Sequence, residues 1–386
     1  MIWFYKFKTM SDSIFNYTLP SSLSSDNHLQ VETDIINKIG KTPYKEIVLD
    51  AKGTNYISSA GLRVLLSFAK KGYKISIINV SIEVNEVLEM TGFNTIINVE
   101  RALREVSIEE CKCIGKGQHG AVYRLAPDTI VKVYGADVSM DDIKNERELS
   151  KKAFIYGLPT AIALDIVKVG DLYGTVFELL DASSCVDYVN ASQENTDDFI
   201  DKAVAVLKKL HAVTIDDADL PDMRERTFGY LEKVRKFISE EEYQKVLKVL
   251  NEIPVTNTLL HCDFHLKNQL MGHGELMLID MDTLCIGDPI FELASIYNSY
   301  YGFGVIDKKA IEDFLGISIE KAHYLWEHIS RKYYDDLNDD DYQKMCRKIE
   351  CLGLLRVQHF FDKHQYSDVI DKGAVLLKES IARLED

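Results

Sequence analysis

Residues 261–283 read HCDFHLKNQLMGHGELMLIDMDT, and this stretch decides the fold of most of the chain. Two short apolar runs, QLM and ELMLID, lie on either side of the residues MGHG, a pattern that predicts a β-hairpin with a tight turn. If His273 and Gly274 form that turn, the register places Asn268 opposite the residue before Asp280. An amide and a carboxylate are therefore expected at one end of the hairpin.

Asp263, a second carboxylate, lies just before the hairpin. This set suits phosphoryl transfer, because Mg²⁺ takes oxygen ligands and a separate carboxylate can accept the proton of the acceptor hydroxyl. A zinc site is the alternative, since His261 and His265 flank Asp263 at a metal-like spacing. That zinc motif requires a helix, whereas this stretch has turn and strand character. Asp280 as a purely structural acid is disfavoured, because an unpaired buried carboxylate is costly.

The pattern HxDxxxxN, followed by an apolar strand ending in Ile-Asp, resembles the aminoglycoside phosphotransferase and choline kinase branch of the protein-kinase-like fold. The resemblance implies that Asp263 is the catalytic base and that Asn268 and Asp280 hold Mg²⁺. The sequence GDPIFELA, residues 287–294, resembles the GDPxxDLA of that family, with Glu292 where aspartate is usual.

A glycine-rich segment, IGKGQHGAV, begins at residue 114 and fits GxGxxGxV with Gly115, Gly117, Gly120 and Val122. A dinucleotide-binding fold would need a helix directly after the loop. Here AVYRLAP and TIVKVYG follow, and both alternate as strands. The order strand, glycine loop, strand predicts a lid over nucleotide phosphates, because glycine lets the backbone approach closely.

Lys132 lies in the strand IVKVY, where the kinase-like fold has its phosphate-binding lysine. A helix is predicted over residues 139–156, and Glu146 lies on its apolar face. An acid on that face needs a partner, for which Lys132 is the candidate; Glu148 is the less favoured alternative to Glu146.

Strands predicted over residues 161–169 and 173–180 complete a small lobe. By the resemblance, Glu178 and Leu180 belong to a hinge that offers backbone groups to the edge of a purine. The rest is predicted to be mainly helical, and in the resembling family the acceptor pocket lies in these late helices. The predicted helices cover residues 196–213, 239–251, 289–300, 319–333, 340–364 and 369–384.

The first hundred residues predict a separate α/β unit, because strand-like and helix-like segments alternate. Its strands are expected at 14–19, 46–50 and 74–80, and its helices at 31–39, 58–71 and 82–90. The sequences EIVLDAKGTNYISSAGLRVLL and NEVLEMTGFNTII resemble the STAS domain of sulfate transporters and anti-sigma-factor antagonists.

The STAS resemblance maps the phosphorylated residue of antagonist members onto Ser59, with Ser58 where those members usually carry aspartate. The alternative is that Ser58 or Ser59 only caps the helix that follows.

Composition excludes several classes of protein. The net charge of −16 argues against nucleic-acid binding. Seven scattered cysteines argue against a disulfide framework and for a reducing, cytoplasmic environment. No apolar run approaches the ~18–20 residues of a membrane span, so we expect no membrane association.

The predicted architecture is an α/β STAS-like domain (1–106) followed by an α+β bilobal protein-kinase-like domain (107–386). The second domain has an antiparallel-sheet small lobe (107–180) and a mainly helical large lobe (181–386). The resemblance implies Mg²⁺-dependent transfer of the γ-phosphoryl group of ATP or GTP to a hydroxyl of a small molecule. Two alternatives stay open: a non-catalytic nucleotide sensor that docks an anti-sigma-type partner, and a kinase with a protein acceptor such as Ser59.

Overall fold

The computed structural model describes residues 14–117, 120–215 and 220–385. The chain forms two compact units, Met1–Val106 and Ser107–Asp386. Within the described residues, no helix is both long and apolar enough to cross a membrane.

The first unit is built on a parallel sheet in the order β1-β3-β5-β6, with β2 and β4 as a separate parallel pair. Its strands are β1 Ile14–Thr18, β2 Ser22–Leu23, β3 Glu46–Asp50, β4 Tyr56–Ile57, β5 Lys74–Val80, β6 Asn98–Arg101 and β7 Arg104–Glu105, and its helices are α1 His28–Ile39, α2 Ser59–Lys70 and α3 Ile82–Met90.

The core of the first unit follows from the alternation of its strands. In β3 the side chains of Ile47 and Leu49 are fully buried, and both belong to the same hydrophobic core as Leu65 of α2. The strands predicted at 46–50 and 74–80 and the helix at 82–90 have these bounds. Helix α1 begins three residues before its prediction, because Leu29 in its first turn is exposed and the buried apolar periodicity starts only at Val31.

The second unit opens with an antiparallel sheet in the order β11-β12-β10-β9-β8, so that β10 is central. Helix α4, Met140–Ile155, packs beside β11 and β12 and is capped by the hydroxyl of Ser139. The strands are β8 Cys113–Gly117, β9 Gly120–Ala126, β10 Thr129–Tyr134, β11 Ala163–Val169 and β12 Leu172–Glu178.

The remainder is mainly helical. The strands β13 Ser183–Ser184, β15 Gln269–Gly272 and β16 Glu275–Leu278 form one small sheet, and β14 Leu259–Leu260 pairs with β17 Cys285–Ile286. The helices are α5 Cys185–Ala191, α6 Gln193–His211, α7 Met223–Val234, α8 Glu240–Glu252, α9 Pro289–Tyr297, α10 Phe303–Ile306, α11 Lys308–Leu315, α12 Ile319–Tyr333, α13 Asp339–His364 and α14 Ser367–Ala382.

The helix predicted over residues 289–300 is present, but after Tyr297 it continues as a π-helical turn, Asn298–Gly302, instead of an α-helix. Helix α13 passes very close to this turn. A Cβ on Gly353 would lie 2.7 Å from Oδ1 of Asn298. Only glycine fits at this close crossing, which lies beside the wider π-helical turn.

Candidate active site

The hairpin has the predicted register. Strands β15 and β16 pair with Gln269 opposite Leu278, and the turn residues His273 and Gly274 have φ of 51° and 81°. One step beyond the ladder, the Ile279 N–H donates to the Asn268 carbonyl at 2.9 Å. Asn268 therefore lies opposite Ile279, next to Asp280, as the turn position implied.

Asp263 is held by its neighbours on the loop between β14 and β15. The Asn268 side-chain amide donates to Asp263 Oδ2 at 2.6 Å, and His265 Nε2 lies 3.4 Å from the same oxygen. Burial alone would raise the pKa of Asp263. The hydrogen bond from His265 and the electrostatic influence of the neighbouring His265, His261 and Arg356 outweigh it and bring the pKa to about 2. Asp263 is therefore ionised at neutral pH.

Lys132 points from the central strand β10 toward two carboxylates. Its Nζ lies 2.7 Å from Glu146 Oε1 and 3.4 Å from Asp280 Oδ1. Burial would lower the pKa of Lys132, but the charges of Asp280 and Glu146 raise it above its ordinary value. The alternative partner, Glu148, is exposed and pairs with Arg147 and Lys151 instead. The predicted pairing of Lys132 with Glu146 is present in the structure.

Glu292 has a role in the fold that its sequence motif alone did not suggest. This fully buried carboxylate accepts the backbone N–H of His261 at 2.6 Å and that of Cys262 at 2.9 Å. Burial would raise the pKa of Glu292, but the nearby His211, whose Nε2 lies 3.9 Å from Oε2, and the Cys262 N–H are among the groups that lower it. Glu292 thus fixes the backbone directly before Asp263.

The donor set near Asp280 suits a hard divalent cation. Asn268 uses its amide nitrogen on Asp263, so its amide oxygen remains for a ligand. Burial, followed by the charges of Asp280 and Glu146, raises the pKa of Asp282 to about 7. Several carboxylates are therefore crowded around one lysine, and Mg²⁺ prefers such oxygen ligands.

The zinc alternative does not fit the geometry. His261 Nδ1 accepts from the Asp263 N–H at 3.2 Å, and its Nε2 lies 3.4 Å from the Ile279 carbonyl. Both ring nitrogens therefore face backbone atoms. Across residues 14–117, 120–215 and 220–385, no three His, Cys, Asp or Glu side chains are grouped to hold a metal ion.

The glycine-rich segment spans the β8–β9 hairpin. Gly115 pairs with Val122, and Gly117 pairs with Gly120. A Cβ on Gly120 would collide with the carbonyl oxygen of Val133, so β9 can pair closely with β10 only with glycine there. Gln118 and His119, at the tip of the predicted loop, lie outside the described residues.

The predicted hinge lies at the end of β12. The Glu178 N–H donates to the Ile162 carbonyl at 3.0 Å, and the Leu180 carbonyl accepts from Ala182 at 3.0 Å. The Leu179 N–H also donates to the Asp128 carbonyl at 2.8 Å, so three backbone groups of this segment form hydrogen bonds within the chain.

In the first unit, Ser58 is the N-cap of α2, and its hydroxyl accepts the Gly61 N–H at 3.3 Å. Ser59 is the first helical residue and is exposed. The capping role therefore belongs to Ser58 and leaves the Ser59 hydroxyl outside the cap.

Sequence reasoning missed Arg356 and Asp282. Arg356, on α13, donates from Nη1 to the Cys262 carbonyl at 3.0 Å. Neither residue was marked by a recognisable motif, and only the packing of the distant helix α13 brings Arg356 to the loop that carries Asp263.

Comparison with known proteins identifies both units. The profile of the phosphotransferase enzyme family (APH) matches residues 110–315, and the STAS domain profile matches residues 8–106. No curated protein sequence matches the chain.

Solved structures with a similar fold include a thermostable mutant of aminoglycoside phosphotransferase APH(4)-Ia in its apo form (TM-score 0.50, 12% identity, covering 71% of this chain and 94% of that one). A mutant of the same enzyme in ternary complex with AMP-PNP and hygromycin B has a TM-score of 0.51 at 13% identity, covering 71% and 94%. A GDP complex of an aminoglycoside 2'-phosphotransferase-IIIa mutant has a TM-score of 0.50 at 13% identity, covering 78% and 97%.

These matches confirm the predicted fold class, an α/β STAS domain together with a kinase-like fold of antiparallel small-lobe sheet and helical large lobe. The chain belongs to the phosphotransferase enzyme family and carries a STAS domain ahead of its phosphotransferase domain.

Proposed function

We infer that the chain transfers the γ-phosphoryl group of ATP or GTP, with Mg²⁺, to a hydroxyl of a small molecule. The observation that carries this proposal is the convergence of Asp263, Asn268, Asp280 and Lys132 at one end of the β15–β16 hairpin. The nucleotide complexes of structurally similar phosphotransferases support nucleotide use, and the hygromycin B complex supports a hydroxyl-bearing acceptor.

Each of these residues has a separate role in the proposed reaction. The acceptor O–H gives its proton to Asp263 as a new O–P bond forms, and the bond between the γ-phosphorus and the leaving diphosphate oxygen breaks. Asn268 and His265 both contact Oδ2 of Asp263, which leaves Oδ1 to face the acceptor. Lys132 contacts the nucleotide phosphates, and Glu146 orients it. Asn268 and Asp280 would hold Mg²⁺, which neutralises phosphate charge when bound.

We assign this chemistry to a domain of residues 107–386, in which residues 107–180 form the small lobe and residues 181–386 form the large lobe. The proposed location of the protein is the cytoplasm. The glycine segment at Gly115, Gly117, Gly120 and Val122 would cover the phosphates. Glu178 and Leu180 remain the proposed hinge. The STAS domain, residues 1–106, is proposed to regulate the enzyme or to dock a partner protein.

The decisive variant is Asp263→Asn. We expect it to bind nucleotide with unchanged affinity and to lose about 10²–10⁴-fold or more in turnover, because a positioned proton acceptor is worth that much. Asp171→Asn is the matched control, since Asp171 is exposed in the β11–β12 turn. The assay is labelled ATP with a panel of aminoglycosides, amino alcohols and sugars.

The label distinguishes the candidate functions. A labelled small molecule supports the proposal, and labelled protein would support a protein acceptor. Nucleotide binding without any turnover would support a non-catalytic sensor. Wild-type turnover by Asp263→Asn would remove Asp263 from the chemistry.

A further inference from the structure

The peptide group that joins Cys262 to Asp263 is held at both ends by side chains. Its carbonyl oxygen accepts from Ser295 Oγ of α9 at 2.7 Å and from Arg356 Nη1 of α13 at 3.0 Å. Its N–H, which belongs to Asp263, donates to His261 Nδ1 at 3.2 Å. A peptide group is planar, so contacts at both of its ends fix the plane from which the Asp263 side chain projects.

The preceding peptide group, between His261 and Cys262, is held in the same way. Its carbonyl oxygen accepts from Thr283 Oγ1 at 2.6 Å, and its N–H donates to Glu292 Oε1 at 2.9 Å. Residues 261–263 lie outside any helix or strand. The backbone geometry directly before the proposed base therefore depends on these side chains.

The conformation of Cys262 makes this support necessary. Its φ is 59°, in the left-handed region that is unfavourable for a residue with a Cβ. Its side chain is fully buried, with Sγ 3.4 Å from Sγ of Cys285. Such a conformation persists only where the surrounding contacts over-determine it. Loss of a contact on the Cys262 carbonyl should therefore let this peptide group rotate toward a more favourable conformation.

The surroundings of Arg356 hold its side chain in place. Arg356 lines a narrow space between α7, α9 and α13, together with Thr227, Phe291 and Leu352. All three neighbours are buried, so the stem of the arginine has little freedom to move. Within the part of the chain that the structure describes, its guanidinium forms no ion pair with a carboxylate. Packing, and not an acidic partner, therefore directs the guanidinium at the Cys262 carbonyl.

We propose that Arg356 is a positioning residue for the phosphoryl transfer: by holding the Cys262 carbonyl, it aims the Asp263 carboxylate at the acceptor hydroxyl. This role rests on the proposed phosphotransferase function. A displacement of about 1 Å at a reacting group can cost about 10²-fold in rate. Because Ser295 still binds the same oxygen, loss of Arg356 should misalign Asp263 without unfolding the loop.

The first measurement separates positioning from binding. Arg356→Met removes the donors and the charge but keeps an unbranched stem, and Lys348→Met is the control on the same helix, where Lys348 pairs with Glu252 at 3.3 Å. Each full-length variant is assayed with Mg²⁺, labelled ATP and the acceptor of highest turnover in the panel. We expect Arg356→Met to lower kcat about 10- to 100-fold and to change both KM values and the urea unfolding midpoint little. Arg356→Lys, which keeps a donor and the charge, should recover part of kcat.

The Asp263→Asn background shows whether Arg356 acts through the base. If it does, Arg356→Met should lower the residual turnover of Asp263→Asn by less than about threefold, because the group that Arg356 aims is already lost. A further loss as large as in the wild-type background would overturn the proposal. Wild-type kcat in Arg356→Met, or a loss confined to KM or to nucleotide affinity, would overturn it as well.

Amide hydrogen exchange tests the contact without any acceptor. Peptides covering residues 259–266 should exchange about tenfold faster or more in Arg356→Met, because a loosened loop opens locally, and at the wild-type rate in Lys348→Met. Exchange in α6 should stay unchanged in both variants. Unaltered exchange of residues 259–266 in Arg356→Met would show that Arg356 does not hold the peptide group. Failure of the phosphotransferase proposal is recognised separately: the wild type then neither binds nucleotide nor turns over, whereas the loop exchange still reports the Arg356 contact.

Discussion

Lys132 connects three parts of the second unit: the central strand β10, helix α4 through Glu146, and the residue after the hairpin, Asp280. The contact with Glu146 is short and mostly buried, whereas that with Asp280 is longer and partly exposed. Deleting one partner of a mostly buried ion pair is costly, because the remaining charge is left buried without a partner. The two carboxylates therefore differ in what their loss should do.

Substituting both members of the Lys132–Glu146 pair should cost less than the sum of the two single substitutions. Lys132→Met and Glu146→Gln each remove the same 2.7 Å interaction, so its loss is counted twice when the single effects are added. The measurement is a double-mutant cycle on nucleotide affinity and turnover, with Glu148→Gln as the matched control on the exposed face of α4. Strictly additive losses would show that the two residues act separately.

Asp280→Ala should remove the Mg²⁺ dependence of nucleotide binding and leave the fold intact. The substitution deletes a hard oxygen ligand at a partly exposed position, so little packing is lost. Calorimetric titration with ATP, with and without Mg²⁺, measures the effect, and circular dichroism checks the fold. If the variant binds ATP with undiminished Mg²⁺ dependence, Asp280 is not a ligand.

At this scale the sequence predicted the proximity of residues that lie in dense motifs. Asp263, Asn268 and Asp280 are close along the chain, and one hairpin register brings them together. Arg356 comes from a helix remote in sequence from that hairpin. Its contact with the Cys262 carbonyl depends on helix packing, which no local pattern encodes.

The hairpin turn is the element whose local geometry allows a direct test. Both His273 and Gly274 have positive φ, as a type I′ turn requires, and asparagine tolerates that conformation better than histidine. His273→Asn should therefore raise the free energy of unfolding by roughly 0.5–1 kcal/mol.

Losing the His273 side chain should cost little, because its contact with Asp181 is 3.5 Å long and both groups are highly exposed. Urea unfolding measures the change, and His273→Val, which opposes positive φ, is the control expected to destabilise. A variant less stable than wild type would show that the turn depends on histidine.

Helices with clear capping signals and apolar periodicity in the sequence were predicted well, and helices without these signals were not. The capping box of α8, formed by Ser239 and Glu242, is present as the sequence indicated. Helices α5, α7, α10 and α11 were missed. Helices α5, α10 and α11 are short, and α7 has Gly229 at its centre and Thr227 on its buried stripe, so its apolar periodicity is weak.

At the scale of the whole molecule, the first unit has a hydrophobic core of its own, formed by residues between Leu19 and Ile97. The residue proposed for regulation, Ser59, is exposed at the N-terminus of α2. A phosphate there adds about −1.5 to −2 charge, which a helix N-terminus tolerates and an acidic partner surface does not.

Phosphorylation of Ser59 should therefore switch docking of the STAS domain. Wild type and the Ser59→Ala and Ser59→Asp variants are compared in pull-downs from native extract, with phosphopeptide mapping of the recovered chain. Ser58→Ala is the control, because it removes the helix cap at 3.3 Å and keeps the Ser59 hydroxyl. Identical partners for all variants and no phosphate on Ser59 would exclude the switch.

The hydrogen bonds from the His261 and Cys262 backbone to Glu292 also limit which segments of this enzyme can be exchanged for those of its relatives. Glutamate is one methylene longer than the aspartate usual in the family, and its oxygens reach two amides at 2.6 and 2.9 Å. A chimaera that receives α9 from an aspartate-bearing relative would leave those amides out of reach. Helix α9 and the segment around Asp263 therefore form one unit of exchange, to be grafted together or left in place.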